Sequence, residues 1–583
     1  MEMQIRMVSL SVLSPYAIVI FQPFSDIYEI LFITGPMYHN GIYHLFYQYN
    51  PYSATWGNIT WGHSVSDDLV NWIHLEHALV GTEPYDINGC CSGSTTFLTP
   101  EKPVILYTGG NYKNRQTQNL AWPKNLSDPF LSEWEKAPQN PLMNPIDDID
   151  PKYFRDPTTA WKGPDGKWRV LVGNQMNDHG QALLYTSTDF VRWTRSKNPL
   201  HSSNKTTMWD CPDFYPVSIN GKYGVDKSSQ DKFTKHIMKA SIINTHDYYI
   251  LGNYSVKTDH FSPATDFKGD ASDLRLVWPS VPRSILLSKN HRQLIQWPIK
   301  EIEKLRGEEG CNGQQMKCKC IRNESRKIGC RVAKGLQSCK EAAELPKDAS
   351  CSQSGCYLFQ ISNERLLMRK VELKSYASLH FMCSALHLLP LDVKISFDLP
   401  SLKEAELMGP SWADPQLLCS QKAASVRGKV GPFGLLVLAS KGLKEKTAVF
   451  FRVFRSSHDK YVVLMCSDQS RSSLREGLDI TTYGAFMDID PSQEKISLRT
   501  LIDHSIIESF GGKGRSCITA RVYPKLAIGN EAELYAFSNG TLDVTISRLK
   551  AWSMKKAHLV SSNDIRSHQV SLMRSQQFNL KQK

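Results

Sequence analysis

The 583-residue sequence predicts an all-β protein, a β-propeller followed by a β-sandwich. Two observations point there. A Ser/Asp/Trp pattern recurs three times in the first half, and the second half is a series of closely spaced apolar runs that lack it.

The repeat reads Ser66-Asp-Asp-Leu-Val-Asn-Trp72, Ser127-Asp-Pro-Phe-Leu-Ser-Glu-Trp134 and Ser187-Thr-Asp-Phe-Val-Arg-Trp193, about 60 residues apart. Between and after the copies lie strand-like stretches such as Val104-Ile-Leu-Tyr-Thr-Gly-Gly110, Trp168-Arg-Val-Leu-Val-Gly173 and Tyr248-Tyr-Ile-Leu-Gly252. A lone four-stranded sheet cannot bury both faces, whereas several packed around an axis can, with each Trp plugging the space between neighbours. The innermost strands then line a central channel, where polar groups from distant positions converge. A sandwich with unrelated Ser/Asp/Trp turns is the competing reading. From Val393 to Met554 the apolar runs crowd together: Gly434-Leu-Leu-Val-Leu-Ala439, Thr447 to Phe454, Tyr461 to Met465 and Ile518 to Tyr523. Turn signals at Gly511-Gly-Lys-Gly514 and Asn539-Gly540 separate them, as in a β-sandwich.

Charge and cysteine usage narrow the function classes. The formal net charge is +12, and Glu309–Leu388, with 13 Lys/Arg against 7 Asp/Glu, supplies half of it. The remainder has no interleaved basic and aromatic stripe, so a nucleic-acid partner is not expected. No run of 18 apolar residues occurs, so no membrane span is expected. The apolar run Val8–Phe21 after Arg6 reads as a signal-like leader, and six acceptor sequons, at Asn58, Asn125, Asn204, Asn253, Asn323 and Asn539, agree with secretion. Of the 14 Cys, seven fall between Cys311 and Cys356. Their spacing, Cys318-Lys-Cys320 included, is not that of a zinc ribbon, and no metal is assigned. Cys419 and Cys466 each end a strand-like apolar run and are candidates for a structural disulfide, two buried free thiols being the alternative. The expected organisation is a leader over 1–30, a propeller over 31–306, an unstructured basic Cys-rich insert over 307–390, a sandwich over 391–557 and a polar tail over 558–583.

Four stretches hold the chemistry. They are Gly35-Pro-Met-Tyr-His-Asn-Gly41 with Tyr43–Pro51 and Trp56–His63; Cys91-Ser-Gly-Ser94; Phe154-Arg-Asp-Pro157; and Met208-Trp-Asp-Cys-Pro-Asp-Phe-Tyr-Pro216. Together with Trp412–Lys422, Met465–Ser473, Leu501–Ser505 and Glu508–Gly512, they resemble glycoside hydrolase family 32, the plant acid invertases and fructan exohydrolases. The resemblance implies a five-bladed propeller with a sandwich behind it, and sucrose or fructan oligosaccharides as partners. Cys211-Pro212 resembles the cell-wall type. Retaining cleavage needs two carboxyl groups roughly 5–5.5 Å apart and no cofactor. In this family a third carboxylate stabilises the transition state.

Carried over residue by residue, Asp156 matches the transition-state stabiliser and Asp210 stands at the acid/base position, where the family has Glu. Gln48, Trp56, Ser92, Ser94 and Arg155 match residues that hold the fructosyl ring. Asp213 is read as a structural strand-end residue. No nucleophile is identified: Phe32 stands where the family has Asp, and the nearest carboxylates are Asp26 and Glu29. The stretch between Asp266 and Trp278 is shortened, which leaves one blade incomplete. Each departure is contiguous while its flanks match, the pattern of an altered splice form or gene model. Oligomeric state and the choice between sucrose and fructan are not legible.

Overall fold

The structure is a computed structural model that describes residues 32–264, 281–307 and 360–561 except for short gaps within them. The expected leader, Asp26, Glu29, Trp56, most of the insert and the end of the tail lie outside the described residues. The chain divides into two units.

In the first unit, four antiparallel sheets follow one another along the chain. The first is β1 (Phe32–His39), β2 (Ile42–Tyr49), β3 (Thr60–Ser66) and β4 (Trp72–Leu79). The second is β5 (Cys90–Thr99), β6 (Lys102–Gly110), β7 (Gln116–Pro123) and β8 (Trp134–Lys136). The third is built on β11 (Trp168–Met176) and β12 (His179–Ser187), flanked by β9 (Phe154–Arg155), β10 (Trp161–Lys162), β13 (Thr194–Arg195) and β14 (His201–Ser203). The fourth is β15 (Asp210–Ser218), β16 (Thr234–Ile242), β17 (His246–Ser255) and β18 (His260–Pro263). Of the expected fifth, shortened blade, Arg283–Leu287 is a described strand and residues 265–280 are outside the description.

The repeat is a turn closed by its own side chains. Ser66 Oγ accepts from the backbone N–H of Leu69 at 2.9 Å, and Asp68 Oδ1 accepts from Val70 and Asn71 at 2.9 and 2.8 Å. Ser187 and Asp189 repeat this with Phe190, Val191 and Arg192, and Asp128 caps Phe130 and Ser132. These bonds hold Leu69, Leu131 and Phe190 at φ of 64°, 45° and 65°, in the left-handed region that apolar residues avoid unless paid for locally. The strained residue is buried each time. The turn then delivers Trp72 and Trp134 as first residues of β4 and β8, and Trp193 just before β13. Adjacent sheets share a core: Val104, Leu106 and Leu120 of the second pack with Phe154, Val170, Val172 and Leu183 of the third. Each such buried side chain contributes about 1.5–3 kcal/mol.

The second unit is the sandwich. One sheet runs Gln360–Ser362, Arg365–Leu373, Val544–Ser553, Leu391–Asp398, Ile496–Asp503, Ile506–Gly511, Ser516–Arg521. The other runs Ser378–Phe381, Glu533–Ser538, Phe433–Ala439, Thr447–Arg455, Tyr461–Asp468, Tyr483–Met487. Val393, Ile395 and Phe397 of the first meet Phe433, Leu435, Val449 and Phe451 of the second in one core. Buried Glu445 accepts backbone N–H bonds from Leu474, Lys525, Leu526 and Ala527, pinning two loops.

Three expectations need correction. Arg365–Leu373 and Ser378–Phe381 pair with sandwich strands, so the sandwich starts inside the segment read as insert, and the boundary at 391 is too late. Leu559–Ser561, read as tail, pairs in parallel with β4 and extends the first sheet. The run ending at Cys419 is a helix, Pro415–Gln421, and not a strand: Asp414 caps it by accepting from Gln416 and Leu417, and Pro415 supplies a pre-set first turn. That helix lies on the outer face of the second sheet, where Cys419 and Cys466 form a disulfide, settling the open alternative.

Replacing both Cys419 and Cys466 with Ser opens a loop closed across a sequence separation of 47, and a fall of about 2–5 kcal/mol in unfolding free energy is expected by denaturant titration. The backbone N–H groups hold the Glu445 carboxyl below its usual range, against the opposing effect of burial. A depressed folded-state pKa adds stability above the unfolded value and loses it as pH falls through the folded one. Glu445→Gln is therefore expected to lower the melting temperature at pH 7, with the gap from the parent narrowing below about pH 4.5.

Candidate active site

The first strand of each of these four sheets, or the turn just after it, borders one cavity. It is lined by Thr34, Gly35 and Pro36 of β1, Ser92, Gly93 and Ser94 of β5, Asp156, Pro157 and Thr159 after β9, Cys211, Pro212 and Asp213 of β15, and Lys239 of β16. It is open to solvent, and the empty space within it and at its mouth together amounts to about 510 Å³. Thr34 Oγ1 and Gly93 fasten β1 to β5, exchanging bonds of 2.9 and 3.1 Å.

Asp156 is buried with φ of 66°. Its backbone N–H donates to Thr108 Oγ1 at 2.8 Å, and Thr108 donates to Gln118 Oε1 at 3.0 Å. Gln118 Nε2 donates in turn to the Phe154 carbonyl at 2.8 Å, so β6 and β7 hold both sides of the Arg155-Asp156 step. The Asp156 Oδ2 accepts from the Cys211 backbone N–H at 2.7 Å and from the Cys211 thiol at 3.4 Å. Burial is the main effect and raises the Asp156 pKa, with Arg155 and the Cys211 N–H opposing it. Burial followed by the Asp156 charge pushes the Cys211 thiol well up, which keeps it a donor.

Arg155 joins the two carboxylates. Its Nε donates to Asp210 Oδ1 at 2.6 Å and lies 3.9 Å from Asp156 Oδ2. Its Nη1 donates to the Lys152 carbonyl at 2.8 Å. Asp210 is raised to about 6, first by burial and then by the Asp156 charge, with Arg155 pulling the other way.

Asp156 and Asp210 are thus brought together, 54 residues apart in sequence, as the sequence reading required. Ser92 and Ser94 line the same cavity, and Ser92 Oγ donates to Gln48 Oε1 at 3.2 Å. Gln48 is fully buried, and its Nε2 has no hydrogen-bond partner among the described residues. Strand β1 reads Phe-Ile-Thr-Gly-Pro-Met-Tyr-His and offers no carboxylate. The Phe32 backbone stands opposite Gln48 in the β1–β2 register. Sequence reasoning missed Thr108, Gln118 and Lys239. Lys239 is 2% exposed on the cavity wall, and its signal was a lone charge inside the apolar run His236-Ile-Met-Lys-Ala-Ser-Ile242. It also left Asp213 outside the site, whereas that residue lines the cavity.

A propeller whose inner strands bring buried Asp156 to one cavity, with Arg155 and half-buried Asp210 paired beside it, defines a carboxylate-based glycosidase. Residues 33–273 match the Glycosyl hydrolases family 32 N-terminal domain, and residues 371–553 match the Glycosyl hydrolases family 32 C terminal. The chain belongs to glycosyl hydrolase family 32. It is 44% identical to an insoluble β-fructofuranosidase isoenzyme of Arabidopsis thaliana, covering 90% of this chain and 88% of that one. It is 43% identical to a fructan 6-exohydrolase of Beta vulgaris, with coverage of 91% and 86%. The crystal structure of fructan 1-exohydrolase IIa from Cichorium intybus matches with a TM-score of 0.78 and 42% identity, over 94% of this chain and 99% of that one. A variant of that enzyme has been solved in complex with 1-kestose.

The site depends on close approach of β11 to β15. A Cβ on Gly173 would lie 2.2 Å from the Trp209 carbonyl oxygen and 3.1 Å from that of Arg155, both backbone atoms that cannot swing aside. Gly173→Ala is expected to cost about 1–3 kcal/mol in a denaturant titration. Gly166→Ala, with nothing near its added Cβ but φ of 76°, separates backbone strain from this clash.

Proposed function

We propose that the cavity receives a terminal β-fructosyl unit of sucrose or a fructan oligosaccharide, and that the chain is a hydrolase of the β-fructofuranosidase and fructan exohydrolase type. The observation behind this reading is the convergence of Asp156 and Asp210 on Arg155 at the mouth of the inner strands. Asp210, half-buried and protonated below about pH 6, donates to the departing oxygen. The ionised form of Asp156, which the Cys211 N–H and Arg155 favour against burial, stabilises the oxocarbenium-like transition state. Arg155, Gln48, Ser92 and Ser94 hold the fructosyl hydroxyls, with Trp56 assigned the same task from the motif alone. The cell-wall names of relatives and the sequons support a place outside the cell, in the wall.

A second reading has its own support. Strand β1 carries no carboxylate, and a retaining displacement needs one on the face opposite the acid. On that reading the cavity binds fructosides without turning them over.

Fructose release from sucrose and from 1-kestose, measured beside calorimetric titration of both sugars, decides between them. Hydrolysis removes the binding-only reading; binding without release removes the hydrolase; neither removes both. Where release is seen, kcat/KM is expected to fall as pH rises through about 6, because Asp210 must be protonated to act as the acid. Asp156→Asn is expected to lower it by at least about 100-fold.

A further inference from the structure

We infer that Asp213 is a specificity residue of the cavity: its carboxylate accepts a hydrogen bond from a hydroxyl of the bound sugar. The inference rests on the reading that the cavity receives a fructosyl unit, and it names a contact that reading does not contain.

The geometry begins with an offset. Asp210 and Asp213 are three residues apart on β15, and in a regular strand residues at an odd spacing face opposite sides of the sheet. Here the register against β16 slips between them: Asp210 stands opposite Ser241 and Asp213 opposite Lys239. Cys211, within the slip, has φ of 46°. A bulge of this kind bends its strand and re-aims side chains, and such bulges recur beside active sites. Asp213 consequently joins Asp156 and Lys239 on the cavity wall.

The second observation is an unmet acceptor. Asp213 is 8% exposed. Its Oδ1 is met by Lys227 Nζ at 3.1 Å and by the Phe214 backbone N–H at 2.8 Å. Its Oδ2 is buried with no hydrogen-bond partner among the described residues. An ionic oxygen removed from water and given no donor is costly, and native structures keep such groups where they have a task. A sugar hydroxyl is a neutral donor of the right size for a cavity walled by Ser92, Ser94 and Thr159. Asp213 then reads one hydroxyl, while Arg155 keeps Asp210 for the leaving oxygen.

The test uses the full chain and titrates 1-kestose by calorimetry, with thermal melts run in parallel. Asp213→Asn is expected to weaken binding on the order of 10- to 100-fold, the range for a hydrogen bond to a charged group. Lys227→Met breaks the ion pair and leaves the carboxylate, and it is expected to bind as the parent does. Across a series of singly deoxygenated fructosides, the parent should lose affinity for one member, and Asp213→Asn should lose that discrimination. Equal binding by Asp213→Asn and the parent overturns the inference, as does a loss in Lys227→Met as large as that in Asp213→Asn. A parent chain that binds no fructoside overturns the proposed function and this inference with it. A parent that binds while Asp213→Asn is unchanged overturns this inference alone.

Discussion

Neighbouring carboxylates repel one another, and Asp156, buried away from water, is the less comfortable of the pair. The Arg155 guanidinium makes their gathering tolerable. It donates to Asp210 and lies against Asp156, while its own position is fixed through Lys152. An arginine suits this place because its charge cannot be titrated away and its donors are set in a rigid fork. Burial still prevails at Asp210, which stays above the ordinary carboxylate range. For the acid role proposed for Asp210 that balance is the useful one, since an acid held wholly ionised by its partner could not give up a proton. The shortened side chain at 210, Asp where relatives' motif has Glu, therefore sits in surroundings that still suit a proton donor.

Backbone strain accompanies this arrangement. Asp156 and Cys211 both occupy the left-handed region, at about 1–3 kcal/mol each. They answer one another: the strained turn at 156 aims a carboxylate at the N–H that the strained turn at 211 turns outward. Thr108 and Gln118 lock the first turn from neighbouring strands. The slip in β15 lets one strand set Asp213 on the cavity wall while Asp210 meets Arg155.

Much of this was legible in the residues. The Ser/Asp/Trp turns were readable because each is stabilised by its own side chains, so local sequence suffices to form it. Asp156, Asp210 and Arg155 were readable because they sit in short contiguous motifs. Thr108, Gln118 and Lys239 were not, because each acts across a strand pairing whose register no local pattern announces. Asp213 was read as a structural strand-end residue because nothing local announces the bulge that sets it on the cavity wall. The run ending at Cys419 misled because a stretch as short as Gln416-Leu-Leu-Cys419 fits either a strand or one helical turn, and the Asp414-Pro415 cap was the deciding signal. The early sandwich strands were hidden by their basic, Cys-rich surroundings, which suggested a single unstructured block.

The parallel pairing of Leu559–Ser561 with Trp72–His74 bears on how the molecule is made. Synthesis runs from the amino end, so β4 emerges with its outer edge bare and waits for almost five hundred further residues before its last neighbour is translated. An unpaired edge is a template for any passing strand, from another nascent copy as readily as from its own chain. The vulnerable interval in the life of this protein is thus on the ribosome, and its length is set by where the closing strand is encoded.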